Sequence, residues 1–244
     1  MSLHPWKHSV ADVYANNYGI VVQDYLGLVI EPSLQTLQRR RDALIENPAT
    51  DDLIKALQVH DHAALEQKAA MAFCLAIQSL WEQQIRAYVR CCVQQFSIPG
   101  VTVDDAETKT WGEGFYAIFK AARGLELQSF KSFNQLNLLM LLGNVCRHGE
   151  GPAANSLWKK RPDLWPESIP VAPLPLPGDN PSKHTTYRPP ISSIEFRPEL
   201  LRSLVEAVVL FWRDLEYLGL KTFMPSEMSD ASIEELLSNR VRVP

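Results

Sequence analysis

Residues 130–151 read FKSFNQLNLLMLLGNVCRHGEG. From Phe133 to Cys146 apolar side chains fall on nearly every face of a helix, the pattern of a helix buried on all sides. The last turn changes character. Asn144, Arg147 and His148 are polar, and Gly149 and Gly151 stand where a helix C-cap is expected. The spacing predicts a central core helix that delivers polar groups at its C-terminal end, which is how a helical bundle places a site.

Working outward, the flanking sequence is helical too. His62 to Phe96 lacks Pro and Gly and is rich in alanine, with Phe73, Ile77, Leu80, Trp81, Tyr88 and Cys92 as an apolar stripe. A short helix over Asp51–Val59 is expected before it. Val10 to Ile30 is helically spaced, with a kink expected at Asn16, Asn17 and Gly19. Glu31-Pro32 is expected to interrupt it before a second amphipathic stretch, through Leu34, Leu37, Leu44 and Ile45, which Asn47-Pro48 stops. Ser97–Thr110 reads as a loop, and Trp111–Ala122 as a helix ended by Gly124. After His148, residues 151–165 read as a loop and a short helical turn. Proline is too dense from Pro162 to Pro198 for regular helix, so an extended segment is expected, with a short strand at Ser192–Phe196. Pro198 suits a helix N1 position, and Leu201, Leu204, Val208, Phe211 and Leu215 carry an amphipathic helix to about Leu218. Ser232 and Glu235 have capping-box spacing for a last short helix.

The expected fold class is all-α: a helical bundle of four to five main helices, with a proline-rich extended segment before the C-terminal helix. The boundaries are 1–164 for the bundle, 165–197 for the proline-rich segment and 198–244 for the C-terminal helix, packed together as a single domain. No strand alternates with helix, and no glycine-rich phosphate loop, H-E-x-x-H or G-x-S-x-G occurs. Rossmann, P-loop and hydrolase folds therefore have no support.

A net charge of −4 leaves any nucleic-acid contact to a local basic patch. Cys74, Cys91, Cys92 and Cys146 have no C-x-x-C spacing and sit in apolar helical patterns, so buried free thiols and a reducing compartment are expected. The amino terminus lacks the apolar region of a secretory signal, and the longest apolar run is far short of the roughly 20 residues that span a bilayer. A cytoplasmic protein without membrane contact is expected.

Several clusters carry chemistry. Asn144 and His148 are one turn apart on one helix face, where the imidazole can act as acid or base and the amide can orient it. Arg147 points about 100° away but can still reach an anion at the helix end. The competing reading is C-terminal capping, because Arg and His also satisfy the last helix carbonyls. Glu82, among apolar neighbours in SLWEQQIRAY, needs a cationic partner: one from the central helix, or Arg86 at i+4 in a plain surface pair. Lys159, Lys160 and Arg161 supply positive charge just beyond the motif. Arg39–Arg41 and His60-Asp61-His62 with Glu66 read as a solvated face and a solvated turn, and no metal site is expected.

SLWEQQIRAY followed some sixty residues on by LLGNVCRHGEG resembles the HEPN superfamily, over roughly Ala63 to Leu164. The resemblance implies a compact helical bundle, often a dimer, of a kind found in toxin–antitoxin, antiviral-defence and RNA-processing systems. It also implies metal-independent ribonuclease chemistry without a cofactor. In that family an acidic or polar residue on an early long helix faces an R-x4-6-H motif on a later one. Glu82 matches the acidic position, His148 the histidine, and Asn144 the polar residue that commonly follows the arginine. The arginine position is not matched: Leu141, Leu142 and Gly143 stand where it should lie. Arg147 sits beside the histidine instead, closer to a variant of the form N-x-x-[KR]-H-G. The resemblance implies RNA as substrate or ligand, to which the positive charge of Lys159, Lys160 and Arg161 is suited, and a homodimer with an antitoxin or other protein partner. The alternative is a non-catalytic dimeric helical interaction module.

Overall fold

The computed structural model describes residues 9–48, 50–166, 188–223, 231–232 and 235, and among these there is no strand. The fold is all-α. Its helices are α1 (Asp12–Tyr25), α2 (Glu31–Glu46), α3 (Asp52–Phe96), α4 (Val103–Thr108), α5 (Glu113–Arg123), α6 (Phe133–His148), α7 (Pro152–Lys160) and α8 (Pro198–Phe223). The core helix expected from residues 130–151 is α6. Most of the proline-rich segment and of the expected last helix lies outside the described residues. Of the latter, Ala231, Ser232 and Glu235 are described and helical.

Four local expectations are corrected. First, α3 is one unbroken helix of 45 residues where a short and a long helix were expected. Second, Glu31-Pro32 does not stop the chain: the π-turn Leu26–Ile30 leads straight from α1 into α2. Pro32 has no N–H and its ring crowds the carbonyl four residues back, and a wide turn just before it removes that conflict. No break falls at Asn16, Asn17 or Gly19, which lie within α1. Third, the loop expected at 97–110 contains α4, opened by a capping box between Thr102 and Asp105, and residues 152–160 form a full helix. Fourth, the expected strand at 192–196 is a 3-10 turn, Ile191–Ser193, and then extended chain. Its one backbone bond to another segment runs from the Glu195 N–H to the Leu164 carbonyl, 2.8 Å.

The chain divides into two compact units, one of residues 1–32, 76–140 and 202–244, the other of residues 33–75 and 141–201. The first has an aromatic core. Trp81 packs edge-on against Phe211 at 4.7 Å and Trp212 at 5.7 Å, and Phe130 lies 4.9 Å from Phe211. The buried Gln84 amide is satisfied on both sides, donating to the Tyr18 carbonyl at 3.2 Å and accepting from the Trp212 indole at 3.0 Å. Arg123 and Asp12 form a buried ion pair at 3.0 Å, with side chains 0% and 4% exposed. Tyr88 donates to the same carboxylate at 2.7 Å, and the Ser9 backbone N–H to its other oxygen at 2.9 Å. None of this network has a periodicity that the sequence reading could have used.

The second unit has a smaller core that includes Ala70, Cys74, Leu142, Val145, Leu157 and Trp165. Trp165 stands edge-on to Trp158 at 5.2 Å and donates its indole N–H to the Pro190 carbonyl at 3.1 Å. The histidines of the expected solvated turn lie inside α3. His62 is half-buried with its Nε2 2.8 Å from the Leu37 carbonyl, and Arg41 of the basic run pairs with Glu66 at 2.7 Å. Both contacts join α2 to α3.

Candidate functional site

The end of α6 is built as its sequence suggests. Leu142 and Val145 are fully buried and fix the helix, and Gly149 ends it with a left-handed φ of 70° and an N–H bond to the Val145 carbonyl at 2.9 Å. The buried face ends at Val145, between Asn144 and the pair Arg147 and His148. Asn144 is half-buried, and Arg147 and His148 are exposed. The Asn144 amide and the His148 ring carry no hydrogen bond among the described residues, so both are chemically uncommitted. The imidazole there stands exposed next in sequence to a guanidinium, a permanent positive charge.

Cys146 shares this turn. The buried Cys74 thiol is held well above the ordinary thiol range, by a hydrogen bond with Cys146 first and by burial second. These two thiols tie the start of the motif turn to α3 within this unit. Cys74 is therefore not a reactive thiolate near neutral pH.

Glu150 is the residue beside this turn that the sequence reading assigned no role. Its carboxylate pairs with Arg188 and accepts the Ile191 backbone N–H at 2.8 Å, while Arg188 also donates to the Asn155 side chain at 3.0 Å. Partial burial pushes the Glu150 carboxyl up, but the Arg188 and Ile191 bonds outweigh this and leave it below the ordinary value. The cluster pins the chain leaving α6 to the segment before α8. Its partners are 38 and 41 residues away with no local pattern between them, so no sequence signal announced it.

Of the basic trio, Lys159 and Lys160 are exposed at the end of α7. Arg161 is already matched: it forms a forked pair with Asp163 at 2.8 and 2.7 Å, which holds the Asp163 carboxyl below its usual range. Two free cations, rather than three, stand in this stretch among the described residues.

Glu82 belongs to the first unit, and Asn144, Arg147, His148, Lys159, Lys160 and Arg161 to the second. Glu82 is held within its own helix. It accepts from Arg86 at 2.8 and 3.1 Å and from Gln78 at 2.6 Å. Arg86 continues to the carbonyls of Ala106 and Glu107, at 3.2 and 3.1 Å, and lies over the Phe115 ring at 5.2 Å. The i,i+4 pairing foreseen for Glu82 and Arg86 is therefore present, and it anchors α4 and α5 to α3. Among the described residues no group of three or more His, Cys, Asp or Glu side chains converges to hold a metal ion. No helix among them is long and apolar enough to cross a membrane. The chain matches no family model, no curated protein and no solved structure.

Proposed function

We propose that this protein is a HEPN-like helical protein that binds or cleaves RNA by metal-independent acid/base chemistry, in a defence or toxin-type role. One observation carries the reading: an uncommitted, exposed imidazole, His148, stands beside Arg147 on the last turn of a helix whose middle, from Leu136 to Val145, is largely buried. In the reaction this implies, His148 takes the proton of a ribose 2′-hydroxyl as that oxygen attacks the adjacent phosphorus and the 5′-oxygen leaves. Arg147 and the Asn144 amide hold the phosphate, and Lys159 and Lys160 hold the flanking backbone. Glu82 stays with Arg86 and Gln78 in its own unit. A homodimer and an antitoxin or other protein partner belong to the same reading.

The test is incubation of the purified protein with mixed RNAs in EDTA, beside His148→Ala and Arg147→Ala variants. General acid/base groups typically contribute about 10²–10⁴-fold, so cleavage should fall by that order in the histidine variant. Cleavage unchanged without His148 removes it from the mechanism. The second reading, a non-catalytic dimeric interaction module, is favoured by the apolar surface of α2 and α3. It predicts no cleavage by either protein and no loss of partner binding in the histidine variant.

A further inference from the structure

The cysteines fall into two kinds of surroundings. Cys91 and Cys92 are consecutive on α3, so their side chains point about 100° apart around the helix. The buried Cys92 thiol is engaged from inside, between the Ser9 hydroxyl at 3.6 Å and the Arg123 guanidinium at 3.7 Å. Cys74 and Cys146 come instead from two different helices, and they meet. In each unit a side-chain contact joins α3 to α6. In the first it is Gln78 with the Met140 sulfur at 3.6 Å; in the second it is Cys74 with Cys146, thiol to thiol. Cys74 is fully buried and Cys146 half-buried, so solvent reaches one member of the pair and not the other. Neither thiol takes part in the chemistry proposed for Asn144, Arg147 and His148.

We propose that Cys74 and Cys146 are a redox-responsive pair: a hydroperoxide converts them to a disulfide that crosslinks α3 to the last turn of α6, and a small thiol reverses it. The chemistry divides between the two as their exposure dictates. The Cys146 sulfur, as thiolate, attacks one peroxide oxygen and becomes a sulfenic acid, while the O–O bond breaks and the leaving hydroxide takes up a proton as water. The Cys74 sulfur then attacks the Cys146 sulfur. The S–S bond forms, the S–O bond breaks, and the Cys74 proton leaves with the sulfenic oxygen as a second water. Two thiols and one peroxide thus give one disulfide and two waters. The Cys146 hydrogen bond and burial keep the Cys74 thiol protonated and shielded from solvent oxidants, yet the same contact makes its attack on Cys146 intramolecular. Disulfides are transient in a reducing compartment, which suits a switch rather than a permanent strut. Asn144, Arg147 and His148 share the end of α6 with Cys146, so the crosslink fixes the polar end of that helix to α3. The inference does not rest on the RNA reading, because it concerns the covalent state of two thiols.

Hydrogen peroxide added in modest excess to the reduced full chain tests it. The intact mass should fall by two hydrogens, and the free thiols titrated in denaturant should drop from four to two. Non-reducing digestion should yield a peptide pair joining Cys74 to Cys146. The crosslink closes a long loop of the unfolded chain, so the oxidised protein should melt higher by roughly 5 °C or more. Dithiothreitol should return it to the starting value. Cys91→Ser should keep all of these responses. Cys74→Ser should lose them, and its Cys146 should instead accumulate a sulfenic acid that dimedone captures. The wild-type peptide map identifies the bond directly, so the test stands even where a variant fails to fold. Free thiols unchanged by peroxide overturn the inference. So does a disulfide through Cys91 or between two chains, or Cys146 oxidised to sulfinic acid with Cys74 still free. A Cys74–Cys146 bond that leaves the melting temperature unchanged overturns it as well. RNA cleavage does not enter these readouts, so either proposal can fail without the other.

Discussion

At the residue scale, Asp12 joins three partners in a buried polar cluster. Its carboxylate is buried and shared by Arg123, Tyr88 and the Ser9 backbone. Removing one member of a buried ion pair leaves the other charge uncompensated, which costs about 3–5 kcal/mol. Asp12→Ala should therefore lose that much stability in urea unfolding, and Asp12→Ala with Arg123→Met should recover a good part of it. Gly219 guards the same carboxylate. A Cβ there would stand 3.1 Å from the Asp12 Cβ and 3.3 Å from its Cγ, and Asp12 has no room to yield. Gly219→Ala should destabilise by about 1–3 kcal/mol through overpacking, although the same change at an open helical glycine gains roughly 0.5–1 kcal/mol. Equal stability of Gly219→Ala and wild type would refute the close-approach explanation.

At the element scale, α4 is the shortest of the helices α1 to α8 and owes its start to one cap. The Thr102 hydroxyl accepts the Asp105 N–H at 3.1 Å, and the Asp105 carboxylate accepts the Thr102 N–H at 2.9 Å. Thr102→Ala should cost about 1 kcal/mol, with faster hydrogen exchange confined to Val103–Thr108. The elements also show what the sequence made legible. The extent of α6 was readable because its apolar residues cover every face and glycines follow it. The end of α2 was readable because Asn47-Pro48 forbids continuation. The unbroken α3 was not: His60, Asp61 and His62 are poor helix formers, but none blocks a helix, and adding a residue to an existing helix needs little. The π-turn was unreadable because proline marks a conflict without saying how it is resolved. At the site, the polar end of α6 was visible, while the commitments of Glu82, Arg161 and Glu150 depend on partners that side-chain placement alone decides.

At the scale of the whole molecule, the titrating groups fall into two sets with opposite signs. Asp105, bonded by Thr102, Glu126, bonded by Lys120, and Asp163, bonded by Arg161, all have carboxyls held below their ordinary values. A folded-state value below the unfolded one contributes stability that is complete above the unfolded value and is lost as pH falls through the folded one. These exposed pairs are weak individually, and together they set a shallow acid limb below about pH 4. The second set is buried and neutral. Burial raises the Tyr88 hydroxyl and the Cys92 thiol, and the Cys146 bond together with burial raises Cys74. Their stabilisation is complete below the unfolded values, and it is lost as pH climbs toward the folded ones, because the unfolded chain ionises first. For thiols that begins above about pH 8.5. The melting temperature should therefore form a plateau from about pH 5 to 8, with a gentle fall on the acid side and a steeper one on the alkaline side. Cys74→Ala with Cys92→Ala should lower the plateau by opening cavities, yet flatten the alkaline limb, since the groups that ionise only on unfolding are gone. Thermal melts of both proteins across pH 4–10 decide it: an alkaline slope as steep without these thiols as with them would assign that limb to other groups.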